Sequence, residues 1–200
     1  MNFCFLRYID LSKTIGFTET LDLINYLAMK GNEVYLICVK SYNKNIQNTV
    51  LNKNTKILET PSVRSFLGRK RIWEAFDLIL YYIFSFLFLL NLNRKKKLNV
   101  IHFYPETILP LKFFSKFIKK KSYILDVRKP TITQAIEMEN NSKSLLFVKL
   151  FYNFIDKLSI KIADGVIVIS KGVKNYVENR ISILNLETKR IKIIPCTVIK

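Results

Sequence analysis

Apolar positions change their period several times along the chain, and each change marks the edge of an element. Residues 2–9 form a short apolar run of strand type. After a loop, Leu21, Ile24, Leu27 and Ala28 fall at helical spacing within 18–30. Glu19 and Asp22 are expected in the first turn of that helix, where the macrodipole favours acids, and Gly31 is expected to cap its far end. Residues 34–39 then read as a buried β-branched strand, so the opening of the chain predicts a βαβ unit with parallel strands and a right-handed crossover. Residues 55–59 give a weaker strand before Pro61, and the polar, Asn-rich 40–54 is a loop.

The same alternation runs on. Strands are predicted at 99–104, stopped by Pro105, at 122–127, at 166–169, and at 191–194, stopped by Pro195. Between them lie helices at 109–121, with lysines in the last turn, at 144–163 and at 171–183. The helix at 144–163 places Val148, Phe151, Ile155, Leu158 and Ile162 on one stripe, expected to pack on the sheet. No repeat at fixed period and no low-complexity linker interrupts the pattern. The fold class that follows is α/β: a doubly wound parallel sheet, Rossmann-like, in a single domain.

Residues 72–92 are the most apolar stretch and read as a helix. Leu78 to Asn93 is 16 residues without a charge. At ~1.5 Å per residue that covers roughly 24 Å, short of the roughly 30 Å hydrocarbon core. Extension backwards takes in Asp77 and Glu74, each costly in hydrocarbon, and basic flanks on both sides give no orientation. Three readings stay open: a helix lying in a membrane interface, an ordinary buried helix, and a true transmembrane span.

Charge sharpens this choice. The 200 residues carry 33 Lys+Arg against 15 Asp+Glu, a formal charge of +18, yet half of them are hydrophobic, which argues for a core and against a disordered basic tail. Residues 69–129 hold 14 basic and 4 acidic side chains, gathered in Arg69-Lys70-Arg71, Arg94-Lys95-Lys96-Lys97 and the lysines of 116–121. The first two clusters bracket the apolar stretch. That arrangement predicts a peripheral binder of an anionic membrane surface, with Arg94, Lys95, Lys96 and Lys97 as the contacts. A basic nucleic-acid-binding α/β protein is an alternative. Phe84, Phe86 and Phe88, however, lie within apolar runs rather than among the basic clusters, so no nucleic-acid partner is expected. A non-catalytic assembly subunit, with 72–92 spanning the membrane and the α/β body recruiting a partner, is a third class. Cys4, Cys38 and Cys196 are too far apart for a zinc or redox motif, which fits a reducing, cytoplasmic setting. Arg7 and Asp10 interrupt what would be the apolar core of a signal peptide, so secretion by that route is not expected.

In open parallel sheets the ligand crevice lies beyond the carboxyl ends of the strands, which singles out the loops after Ile9, Tyr104, Val127 and Ile169. Gly16, with Phe17 and Thr18 at the start of the helix, is either a place where free N–H groups receive a phosphate or carboxylate, or a plain tight turn. The 5 glycines make neither G-x-G-x-x-G nor a Walker A loop, and no cofactor is expected. His102, the only histidine, sits near the carboxyl end of a strand as either a ligand-facing or a core side chain. Arg128 ends the next strand, either to hold an anionic group bidentately or to lie in solvent. One histidine permits no Ser-His-Asp assignment and no acidic cluster suggests a metal, so the catalytic residues stay unassigned.

Four segments have a counterpart in a known family. Ile15-Gly16, the following helix and its end Leu27-Ala28-Met29-Lys30-Gly31-Asn32-Glu33-Val34 are similar to a Gly-Gly loop, first helix and L-A-x-x-G-H-E-V, with Ile15 and Asn32 replacing Gly and His. Asn99-Val100-Ile101-His102-Phe103-Tyr104 is similar to D-V-V-H-x-H, with Asn99 for Asp and Tyr104 for the second His. Ala163-Asp164-Gly165-Val166-Ile167-Val168-Ile169-Ser170 is similar to A-D-x-V-I-x-V-S, and Lys192-Ile193-Ile194-Pro195-Cys196-Thr197-Val198 to K-I-x-V-I-P-N-G-V. In order and spacing they resemble the N-terminal, acceptor-side domain of family 4 glycosyltransferases of the GT-B fold.

The resemblance implies a retaining transferase that moves a sugar from a nucleotide-sugar donor to a cell-envelope or lipid-linked glycan acceptor at the cytoplasmic face of the membrane, in polysaccharide biosynthesis. It implies an acceptor-binding domain over 1–195, with 196–200 starting the connection to a missing or separate C-terminal domain that binds the donor. On that expectation the chain is a truncated or split enzyme. Gly16, Phe17, Thr18, His102 and Tyr104 would line the acceptor cleft, and Arg128 joins them from its place at a strand end.

Overall fold

A computed structural model describes residues 1–10, 15–39, 52–63, 71–117, 121–128 and 145–194. Its elements are β1 (Asn2–Asp10), α1 (Ile15–Met29), β2 (Glu33–Val39), β3 (Thr55–Thr60), α2 (Arg71–Lys96), β4 (Val100–Phe103), a 3₁₀ turn (Pro105–Thr107), α3 (Ile108–Phe117), β5 (Ser122–Val127), α4 (Leu145–Ile162), β6 (Gly165–Val168), α5 (Lys171–Ile183) and β7 (Arg190–Ile193). The strands form one seven-stranded sheet in the order β3-β2-β1-β4-β5-β6-β7. This is the doubly wound, Rossmann-like α/β architecture that the alternating pattern predicts. The chain divides into two compact units, Met1–His102 with Leu109–Lys121, and Phe103–Ile108 with Ser122–Lys200.

In the first unit β1 runs parallel to β2, in register from Asn2 opposite Glu33 to Leu6 opposite Ile37, and β2 runs parallel to β3. Phe5, Leu36 and Cys38 meet Leu21, Ile24 and Ala28 of α1 in a buried cluster. The helix ends as its sequence predicts. Gly31 takes φ +81°, its N–H donates to the Ala28 carbonyl at 3.0 Å, and the Asn32 N–H donates to the Leu27 carbonyl at 3.3 Å. That bond pair is the Schellman cap, and the Asn32 side chain reinforces it by donating Nδ2 to the same Leu27 oxygen at 2.9 Å. The start differs from expectation. The helix begins at Ile15, so Gly16 is helical rather than in a loop, and the first turn holds no acid.

Helix α2 is longer than 72–92 and takes in the basic residues Arg94, Lys95 and Lys96 as its last turn. Its buried side chains recur every fourth residue, Asp77, Tyr81, Ser85 and Leu89, and Tyr81 meets Tyr8 of β1 edge-on with centroids 5.3 Å apart. The carboxylate of Asp77 accepts from Ser62 Oγ at 2.8 Å and from the Val63 N–H at 2.5 Å, which ties the chain after β3 to the helix. Helix α3 is described as far as Phe117, with Lys116 in its last turn. Of the lysine-rich end expected for it, 118–120 lie outside the described residues, and Lys121, just before β5, donates its Nζ to the Leu98 carbonyl.

In the second unit β5, β6 and β7 pair in parallel. Asp164 sews its turn to β5, its carboxylate accepting from the Tyr123 N–H at 2.7 Å and its own N–H donating to the Tyr123 carbonyl at 2.8 Å. Ser170 caps α5 by accepting from the Val173 N–H at 3.3 Å. The stripe expected on α4 is rotated. Ile155 is buried with Asp156, Ser159 and Ile160, whereas Phe151 is exposed and Leu158 and Ile162 are half-buried. A polar clamp to α5 sets that rotation: Asp156 accepts from Tyr176 and lies 3.7 Å from Arg180 Nε, and Arg180 Nη2 donates to Asn153 at 2.7 Å.

Candidate functional site

From β1 the sheet grows through β2 and β3 to one edge, and from β4 through β5, β6 and β7 to the other. The topological switch point is therefore β1 beside β4, the position where open α/β sheets bind their ligands beyond the strand ends. The regular β1–β2 ladder breaks there. Leu6 faces Ile37 but Asp10 faces Val39, so Arg7, Tyr8 and Ile9 stand in an irregularity at the carboxyl end of β1. Such bulges bend a strand and re-aim its side chains, and they gather beside active sites. Arg7 is half-buried, and its Nη1 is shielded from solvent.

His102 lies on β4, buried to 4% exposure, with its ring 4.7 Å from that of Phe5 and tilted by 34°. Its ring is thus packed against the core of the first unit. Gly16, Phe17 and Thr18 form the first turn of α1, directly after β1 in the chain. The first N–H groups of a helix have no intrahelical acceptor and carry the positive end of its dipole, so this turn can receive an anionic or carbonyl oxygen.

Tyr104 and Arg128 belong to the second unit. Tyr104 is buried and precedes the 3₁₀ turn; its N–H donates to Thr107 Oγ1 at 3.2 Å, and that hydroxyl donates back to the Tyr104 carbonyl at 2.8 Å. Arg128 grips Asp126 bidentately, Nε at 2.7 Å from Oδ1 and Nη2 donating to Oδ2 at 2.8 Å. Asp126 is fully buried, so the guanidinium answers an interior carboxylate on one side, while the Arg128 side chain stays 27% exposed.

Arg94, Lys95, Lys96 and Lys97 are all exposed at the end of α2. Asn2 Nδ2 donates to the Lys96 carbonyl, the Asn2 N–H donates to Asn99 Oδ1 at 2.8 Å, and Lys96 Nζ lies 3.4 Å from Glu33. Asn2 and Glu33 open β1 and β2, so this basic turn sits at the amino ends of the strands, the edge opposite the switch point. Glu33 is held below the usual carboxylate range, first by the Tyr35 hydroxyl donating at 2.6 Å and then by Lys96. Among the described residues no group of three or more His, Cys, Asp or Glu side chains could hold a metal.

No family model matches the sequence, and no curated protein matches it. Solved structures do match the fold. Sucrose-phosphate synthase from Thermosynechococcus elongatus superposes with TM-score 0.69 at 13% identity, over 98% of this chain and 48% of its own. UGT89C1 from Arabidopsis thaliana, solved with UDP-L-rhamnose, gives 0.64 at 12%, over 100% of this chain and 53% of its own. UGT2 from Phytolacca americana, in its apo form, gives 0.63 at 11%, over 100% and 52%. These neighbours are GT-B glycosyltransferases, and this chain has the fold of half of one. It spans about half the length of each of the three.

Arg7 and Asp77 are the two residues of interest that pattern reading passed over. Arg7 counted only as a charge against a signal peptide, and Asp77 only as a cost for a membrane span. The available signal was the same for both: a lone ionic side chain inside an apolar element, which needs either a partner or a ligand.

Proposed function

We propose that this chain is the acceptor-binding half of a GT-B glycosyltransferase of family 4 type, which takes a sugar from a nucleotide-sugar donor and passes it, with retention, to a cell-envelope or lipid-linked glycan. The observation that carries the proposal is the extent of the structural match: essentially all of this chain against about half of enzymes in this fold class. Four motifs spread from Ile15 to Val198 support the N-terminal assignment, and the donor half is a separate or following domain. The acceptor lies over the β1–β4 switch point. The first turn of α1 at Gly16, Phe17 and Thr18 supplies N–H donors, Arg7 supplies positive charge, and Phe5 holds the His102 ring in place behind them. The enzyme works at the cytoplasmic membrane face.

Native mass spectrometry tests this on the chain as it stands. A polyprenyl-diphosphate-linked saccharide should be retained and UDP-glucose should not, and Arg7→Gln should weaken retention about tenfold, the worth of one charge-assisted hydrogen bond. Retention of UDP-glucose with no hold on the saccharide would make this the donor half and overturn the proposal.

A further inference from the structure

Helix α2 turns an apolar stripe outward. Its inner stripe begins with the polar-bearing Asp77, Tyr81 and Ser85 and continues with Leu89, each fully buried, whereas Phe76, Ile79, Ile83 and Leu87 are 47–54% exposed. In water a surface helix turns its apolar stripe inward. The reversal is set by Asp77, whose carboxylate serves Ser62 and Val63, and by the Tyr81–Tyr8 contact, so the helix cannot roll over to hide the outer stripe. The neighbouring helix extends the patch: Phe117 is exposed, and its ring lies 6.1 Å from that of Phe86. Phe113 is exposed beside it, with Lys116 Nζ 5.9 Å above its ring.

We infer that the outer stripe of α2, with Phe113 and Phe117 of α3, docks in the plane of an anionic phospholipid surface. Charge complementarity selects that occupant. Arg94, Lys95 and Lys97 are exposed at the end of the stripe, and Lys116 flanks the two phenylalanines, so the apolar patch carries a rim of positive charge. A lipid headgroup layer answers both features, whereas a second copy would bring +18 against +18. By length and composition the helix could also cross a membrane, and only 28% of its apolar window is buried. A span would require drawing Asp77 out of its bonds to Ser62 and Val63 into hydrocarbon, so the helix lies flat.

The test is co-sedimentation of the full chain with phosphatidylglycerol vesicles, with phosphatidylcholine vesicles alongside. These carry no glycan, so the result stands apart from the sugar-transfer proposal. Binding is expected to phosphatidylglycerol, to fall as salt is raised, and to drop at least about tenfold both in Ile83→Glu with Leu87→Glu and in Arg94→Ser with Lys95→Ser and Lys97→Ser. All five positions are exposed, and unchanged thermal melting of the two variants shows that each folds. Equal binding by either variant, resistance of the bound protein to alkaline carbonate, or loss of self-association in Ile83→Glu without any vesicle binding would each overturn the inference.

Discussion

Phe5→Ala should cost about 3–5 kcal/mol of folding stability, lowering Tm by roughly 10 °C in a chain of this size. Phe5 is 1% exposed and joins three partners: α1 through Leu21 and Ile24, β2 through Leu36, and β4 through the His102 ring. Truncation therefore opens a cavity beneath the switch point as well as removing buried apolar area. Phe5→Leu refills most of that space and should lose less than half as much. Thermal and urea unfolding followed by far-UV circular dichroism measure both. An alanine variant within about 1 kcal/mol of the parent would mean that β1, β4 and α1 do not share the packing described.

Asp77→Ala should be nearly as damaging, at about 3 kcal/mol, because two donors lose a buried acceptor. The Ser62 hydroxyl and the Val63 N–H would be left without it at the end of β3, and the inner stripe of α2 would lose its anchor. Asp77→Asn keeps one acceptor oxygen and should lose about half of that. The sign also separates two pictures of the helix. In a hydrocarbon span, removing the carboxylate would favour insertion; against the sheet it must destabilise. Unfolding without lipid reads the loss directly, and a neutral Asp77→Ala would detach α2 from the sheet.

Much of the architecture was legible because the elements that carry it obey one period each. The strands at Ser122–Val127 and the helix at Lys171–Ile183 fall where the pattern puts them, since their ends are marked by turn and cap residues such as Ser170. The Gly31 cap was legible for the same reason: a left-handed φ calls for glycine. Legibility failed where tertiary polar contacts overrule the apolar count. On α4, Asp156 is drawn inward by Tyr176 and Arg180 and turns Phe151 out. On α2, Asp77 does the same to Ile79 and Ile83. Neither partner set is near in sequence, so no local window holds the information.

The candidate site divides similarly. The strand ends after Ile9 and Tyr104 followed from topology, but the break between Leu6 and Asp10 did not, because a bulge is a difference in count between two strands and leaves no mark on one. Arg128, either an anion-holding or a solvated side chain by its sequence, follows β5 and pairs with Asp126 two residues earlier, a contact that its place at a strand end does not announce. The motifs that carry the family resemblance also gain a physical meaning. Asn32, Asp164 and Ser170 each satisfy backbone groups at helix ends or turns, so these positions hold the scaffold.

The central claim is that an acceptor glycan is held at the carboxyl ends of β1 and β4. Hydrogen exchange followed by mass spectrometry, on the chain alone and with a soluble short-chain diphosphate-linked saccharide, tests it most directly. Slowed exchange confined to peptides covering residues 5–10, 15–18 and 100–102 is the predicted result. Protection at 94–99 and the amino ends of the strands, with 5–10 and 15–18 unchanged, would contradict it.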